Sequence, residues 1–192
     1  MFRLLPVVLV LLLSGTLFAQ ETRRPVSVSV GYGLITAPQI IESVTDILGT
    51  ALTGGNVRYE DGTFSGAIVA NIKIPTRSRV TFGADVAYES FKKDVYSTSS
   101  GAKLGTSEGR YVSVIPRADF YWLDKRAARL YSGVAVGASF ASQKYESDKA
   151  NSLLLAFNLV PIGVELGTTL SVFGEAAFGY NGLIHAGLRL RL

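Results

Sequence analysis

From Val26 onward the chain alternates. In Val26-Ser-Val-Ser-Val-Gly-Tyr-Gly-Leu34, apolar residues take every second position against small or polar ones. A period of two marks a strand with one face in an apolar medium. Phe64 to Ile74 repeats it, with Phe64, Ile68, Ala70, Ile72 and Ile74 opposite Ser65, Asn71 and Lys73. Arg79 to Glu89 sets Val80, Phe82, Ala84, Val86 and Tyr88 against Thr81, Gly83, Asp85 and Glu89. Tyr111 to Trp122 sets Val112, Val114, Ala118, Phe120 and Trp122 against Ser113, Arg117, Asp119 and Tyr121. Leu130 to Ser142, Leu153 to Leu166, Leu170 to Tyr180 and Leu183 to Leu192 complete eight candidate strands. Each has roughly the 9–11 residues that a tilted strand needs to cross a bilayer. Pro161 interrupts the sixth, where Asn158 and Glu165 fall on opposite faces by strict counting. A bulge near Pro161 would reconcile them.

The connections alternate as well. Leu34 to Phe64 is long, Pro75-Thr-Arg-Ser78 short, Lys92 to Glu108 long, Leu123 to Ala128 short, Gln143 to Asn151 medium, and Gly167-Thr-Thr169 short. Long loops at one end and short turns at the other describe a transmembrane barrel. Tyr180-Asn-Gly-Leu183 departs from this, reading as a two-residue Asn-Gly hairpin at the long-loop end. Within the first long connection, Pro38 to Leu52 places Ile40, Ile41, Val44, Ile47, Leu48 and Ala51 at helical spacing. Thr36 with Gln39 resembles a capping box, and Gly54-Gly55 supplies the stop. A short amphipathic helix on the rim or in the mouth of the barrel is expected there.

The first twenty residues differ from the rest. Arg3 precedes the apolar run Leu4 to Leu13, and Ser14, Gly15 and Thr16 lead to the small residue Ala19. This reads as a secretory signal peptide over residues 1–19, cleaved after Ala19, followed by one barrel domain over 20–192. The run is too short to span a membrane comfortably as a helix.

Composition narrows the chemistry. The 192 residues include no cysteine and one histidine, which removes disulfides, thiolate metal sites and multi-histidine centres. Charged residues make up 18%, hydrophobic ones 48%, and the net charge is +4 without a basic stripe. Nucleic acid is a poor candidate partner on that balance, and no cofactor is expected.

Periodicity alone leaves open which face points outward. A soluble lipocalin-like barrel would turn the apolar face inward around a ligand. The polar face argues for the inverted arrangement, because it carries both signs: Lys73, Arg117, Arg189 and Arg191 against Asp85, Glu89, Asp119 and Glu175, with His185 among them. Four bases can neutralise four acids inside a narrow barrel, whereas an unpaired buried charge would cost far more. The chain also ends on a strand whose apolar face, Ile184, Ala186, Leu188, Leu190 and Leu192, runs to the last residue.

Over essentially the whole chain after residue 19, this pattern resembles the small eight-stranded outer-membrane barrels of the OmpX and OmpA-transmembrane-domain type. The closing stretch Phe173 to Leu192 is similar to the final hairpin of barrels common in Bacteroidota. Leu159-Val-Pro-Ile-Gly163 is similar to their sixth strand. The resemblance implies an all-β, eight-stranded antiparallel up-and-down barrel in the outer membrane, with lipid and lipopolysaccharide around a monomer. It further implies that Ala186, Leu188, Leu190 and Leu192 serve as the insertion signal read by the barrel-assembly machinery. The usual final aromatic is replaced by Leu192.

Two chemistries compete with a structural or surface-interaction role. A lipid A-modifying enzyme needs a histidine base and a nucleophilic serine; His185 is the single candidate base, and no serine stands at a recognisable spacing from it. A narrow solute pore needs open space, whereas eight strands leave room only for side chains. The expectation is a non-enzymatic barrel. Its loop Lys92 to Glu108 is polar and faces outward, where it could meet lipopolysaccharide phosphates.

Overall fold

The computed structural model describes residues 25–53, 56–145 and 148–192. The proposed signal peptide lies outside the described residues. Among the described residues, nine strands and one helix follow in chain order: β1 (Ser27–Leu34), α1 (Ala37–Leu52), β2 (Val57–Phe64), β3 (Ala67–Pro75), β4 (Val80–Ser97), β5 (Lys103–Asp124), β6 (Ala128–Tyr145), β7 (Asp148–Gly167), β8 (Leu170–Gly179) and β9 (Ile184–Arg191). All pairings are antiparallel. The ladder runs β3-β1-β9-β8-β7-β6-β5-β4 and closes through β3–β4, so eight strands form a sealed ring. The ninth, β2, pairs with the upper part of β4 and continues β3 upward past a break.

That break corrects the sequence reading of Phe64. One extra residue sits between the pairs Phe64–Phe91 and Ile68–Tyr88. Gly66 takes a left-handed φ of 72° there. The Ser65 hydroxyl accepts from the Ser90 N–H at 2.9 Å, and the Tyr32 hydroxyl donates to the Ser65 carbonyl. The slip reverses the faces. Phe64 packs inward on Phe91, 5.8 Å between ring centres, while Ile68 points outward.

The expected bulge at Pro161 is present. Tyr131 pairs with Gly163 and Gly133 with Val160, so β7 has one residue too many at Val160-Pro161-Ile162. The same excess appears against β8. Val160 and Gly163 are buried and Pro161 and Ile162 exposed, which puts Asn158 and Glu165 on the same, inner face.

Strand heights differ around the ring. β4 to β7 have 18, 22, 18 and 20 residues, whereas β1, β8 and β9 have 8, 10 and 8. The lower part is therefore a closed barrel, the base. Above it, β2 and the upper halves of β4 to β7 form a curved five-stranded sheet, the crown, with α1 standing against its concave face. This corrects two connections read as loops. Phe91 to Tyr96 pairs with Gly109 to Lys103, leaving only a tight turn between β4 and β5. Likewise, Ala141 to Tyr145 pairs with Ser152 to Asp148. The β8–β9 link is also not an Asn-Gly hairpin. Its turn runs Gly179 to Gly182, closed by the Gly182 N–H on the Gly179 carbonyl at 3.2 Å, with Tyr180 and Asn181 central. Gly179 and Gly182 adopt φ of 146° and 94°. The turn folds into the barrel mouth, where Gly33, lacking a side chain, leaves room for the Asn181 carbonyl.

Alternation separates the two surfaces of the base. Val30, Tyr32, Ile68, Phe82, Val86, Val114, Phe120, Val134, Leu159, Val172 and Leu188 face out, and their neighbours along each strand are buried or half-buried. In a single closed layer, the buried set can only fill the interior.

Candidate functional site: the ionic interior

Arg117 on β5 occupies the centre of the base. Its Nη2 lies 2.7 Å from Asp119 Oδ1 and 2.9 Å from Glu175 Oε1, and its Nη1 lies 3.3 Å from Asp85 Oδ2. Asp85 is on β4 and Glu175 on β8, so one guanidinium ties opposite walls together. A planar fork of five donors is suited to holding several carboxylates at once. Lys73 Nζ reaches the other Asp119 oxygen at 2.7 Å and sits 4.1 Å from the centre of the Tyr131 ring. Tyr131 donates to Glu175 Oε1 at 2.7 Å, and His185 Nδ1 stands 3.0 Å from Glu175 Oε2. Asp85 also accepts from Asn181 at 2.6 Å and from Asn71. Every carboxylate here has a cation and at least one further donor, the condition under which buried charge is tolerable.

A second knot closes the lower end. Glu165 receives Arg189 at 2.6 Å, Arg191, and the Ser171 hydroxyl at 2.8 Å, with Arg129 at 3.5 Å. A third lies in the crown. Lys93 bridges Glu42, at 2.7 Å, and Asp46. Glu42 also accepts from Tyr111 and Gln143, each at 2.7 Å. Nearby, Glu89 accepts from Thr36 at 2.7 Å and from Gln39 at 2.8 Å.

Of the nine charged or titratable residues expected inside, Lys73, Asp85, Glu89, Arg117, Asp119, Glu175, His185 and Arg189 are buried, while Arg191 is half-buried at the lower mouth. They do not form one network. Glu89 is held by the Thr36 hydroxyl and the Gln39 amide and belongs with α1; Glu165 takes its place against the bases. The pairing in the base is thus Lys73, Arg117, Arg189 and Arg191 with Asp85, Asp119, Glu165 and Glu175. Glu165 escaped the sequence reading because the bulge shifts its parity. Lys93 escaped because its strand was read as loop. Glu42 escaped because an amphipathic helix ordinarily buries its apolar stripe and leaves its acids in solvent. A Lys amid polar residues, and an acid opposite that stripe, were the signals available.

Ala186, Leu188, Leu190 and Leu192 lie in one exposed row on the outer surface, interleaved with inward His185 and Arg189. Cavities lie at both ends of this interior. The lower one is about 70 Å³, bordered by Lys73, Tyr121, Glu165 and Arg191. The upper, about 560 Å³, opens between α1 and the crown. The Arg117 layer separates them. His185 is enclosed by Glu175 and by the edge-on ring of Phe173, 5.0 Å between centres. Among the described residues, no cluster of His, Asp and Glu has the makings of a metal site. A scan against protein-family models and a search of curated proteins both return no match for this chain.

Proposed function

We propose that this chain is an integral outer-membrane β-barrel with a solid ionic interior, non-enzymatic, exported by its N-terminal signal peptide. One observation carries the reading: the barrel is inside out by the standards of a soluble protein. Its outer surface is a continuous apolar band, and its interior holds four acids and four bases. On β5, outward apolar residues extend from Val112 to Trp122, about 33 Å of strand or about 25 Å of height at the usual tilt, the thickness of such a band. Closure suits this medium, because a ring leaves no backbone edge unpaired in lipid. Tyr88 and Phe140 near the upper limit of the band, and Phe120 with Trp122 near the lower, are placed as an aromatic girdle would be.

The role is structural, with the crown as its surface-exposed part. Solute conduction is disfavoured by the Arg117 layer, and acyl-transfer or hydrolytic chemistry by the enclosure of His185. The final strand's row Ala186 to Leu192 is the proposed insertion signal. Fractionation of cells expressing the full chain tests the reading. The protein is expected in the outer membrane, resistant to extraction by urea; recovery as soluble periplasmic material would overturn it and turn the search toward an apolar ligand.

A further inference from the structure

Helix α1 is folded with its faces reversed. Glu42 is buried, Asp46 half-buried, and both meet Lys93, while Gln39 meets Glu89. The opposite stripe, Ile40, Val44, Ile47 and Leu48, is uncovered; Val44 is 50% exposed and Ile47 69%. A helix on a soluble protein turns its apolar stripe to the core, and so large an uncovered stripe marks a contact surface.

The ladder locates that surface. One rung passes Leu153, Phe140, Val112, Tyr88, Ile68, Tyr32, Ala186, Gly174 and Val164, returning to β7 eleven positions further along than it began. With strands about 4.8 Å apart and tilted by about 40°, each step along the rung climbs about 3 Å. Tyr88 is then level with the tops of β1, β8 and β9, whereas the outward Phe140 and Leu153 stand about 6 and 9 Å above it. The next outward residues are polar on all four tall strands: Ser90, Arg110, Ser142 and Asn151. A flat apolar slab that reaches Phe140 and Leu153 therefore overtops the short strands by several ångströms. At that height, above β1, β8 and β9, stands the outward face of α1. It rises from the level of Glu89 to that of Lys93 and continues the exposed row of Leu34 and Ile35. A helix satisfies its own backbone, so it can face lipid where an unpaired strand cannot.

We infer that α1 replaces the missing upper wall above β1, β8 and β9, and that lipid acyl chains cover the lower part of its exposed stripe, around Ile40 and Val44. The inference rests on the outer-membrane reading above. Trp122, on the outer surface near the lower end, is the chain's one tryptophan, so the test has an internal control. The full chain is reconstituted in bilayers with and without brominated acyl chains. Native Trp122 fluorescence is measured first, then that of Ile40→Trp, Val44→Trp and Lys144→Trp, each with Trp122→Phe. The expected result is quenching of native Trp122, quenching to at least that extent for Ile40→Trp and Val44→Trp, and little for Lys144→Trp. Quenching of Trp122 with none at either helix position overturns the inference while leaving the barrel in its membrane. If two copies per particle accompany that result, a second copy covers the face. No quenching at any position overturns the membrane reading and this inference together.

Discussion

The base and the crown are built from the same strands, yet they obey opposite rules on their outer surfaces. In the base, each tall strand shows Tyr88, Val112, Phe140 or Leu153 outward; one position pair higher it shows Ser90, Arg110, Ser142 or Asn151. Inside, both regions are ionic. The base, however, surrounds its charges on every side, while the crown closes over Glu42 and Lys93 only through α1. Burial depth, not the number of ion pairs, therefore sets what each cluster is worth. A pair removed from water on all sides is held at full stake, because the loss of one partner strands the other. A pair near an opening can be rescued by solvent.

Removing the central cation of the base sharpens that contrast most. Arg117→Met leaves Asp85, Asp119 and Glu175 short of a shared partner. A stranded buried charge costs about 3–5 kcal/mol, so the variant is expected to lose the closed form at denaturant concentrations the wild type withstands. Unfolding followed by the fluorescence of Trp122, itself distant from Arg117 on the outer surface, checks this. In the crown, Lys93→Met removes the bridge to Glu42 and Asp46 at a cost of about 1–3 kcal/mol. Its expected signature is local: faster protease cleavage within α1, with the base still intact. Equal loss of both regions would show that crown and base are one cooperative unit.

Asn181 closes the mouth of the base, since its amide donates from the infolded β8–β9 turn to Asp85. Asn181→Ala is expected to cost about 1–2 kcal/mol and to lower the midpoint of base unfolding by less than Arg117→Met does. The smallest effect is expected on the crown's outer face. There, hydrogen bonds from Lys103 and Thr106 hold the Asp94 carboxyl below its ordinary value. Its small contribution is present above the unfolded-state pKa and fades as pH falls through the lower folded one. Such exposed pairs often contribute nothing measurable. Lys103→Ala should therefore leave the melting midpoint at neutral pH unchanged, and a clear drop would mean the crown's surface is more ordered than its exposure implies.

The base was legible in the sequence because its outward apolar alternation is loud. Val, Ile, Leu and Phe recur against Gly, Ser and charge over eight segments. The crown was nearly silent for the same physical reason. In Lys92-Lys-Asp-Val-Tyr-Ser97 and Lys103-Leu-Gly-Thr-Ser-Glu-Gly-Arg110, the outward face is polar and the inward face mixed, so period-two pairing leaves no apolar trace. Helix α1 was visible by its spacing, but the direction of its stripe was not. That depends on which carboxylates find Lys93 across the mouth. The bulge at Pro161 could be anticipated from Asn158 and Glu165. The one at Ser65-Gly66 could not, and it misplaced Phe64.

A closed ring with its apolar face outward is the central feature of this molecule. Electrophoresis in dodecyl sulfate, with and without boiling, of protein folded into bilayers tests that most directly. The unheated protein is expected to stay a compact, fast-migrating species and to shift to the full-length position only on boiling. Identical migration under both conditions would contradict a sealed barrel in lipid.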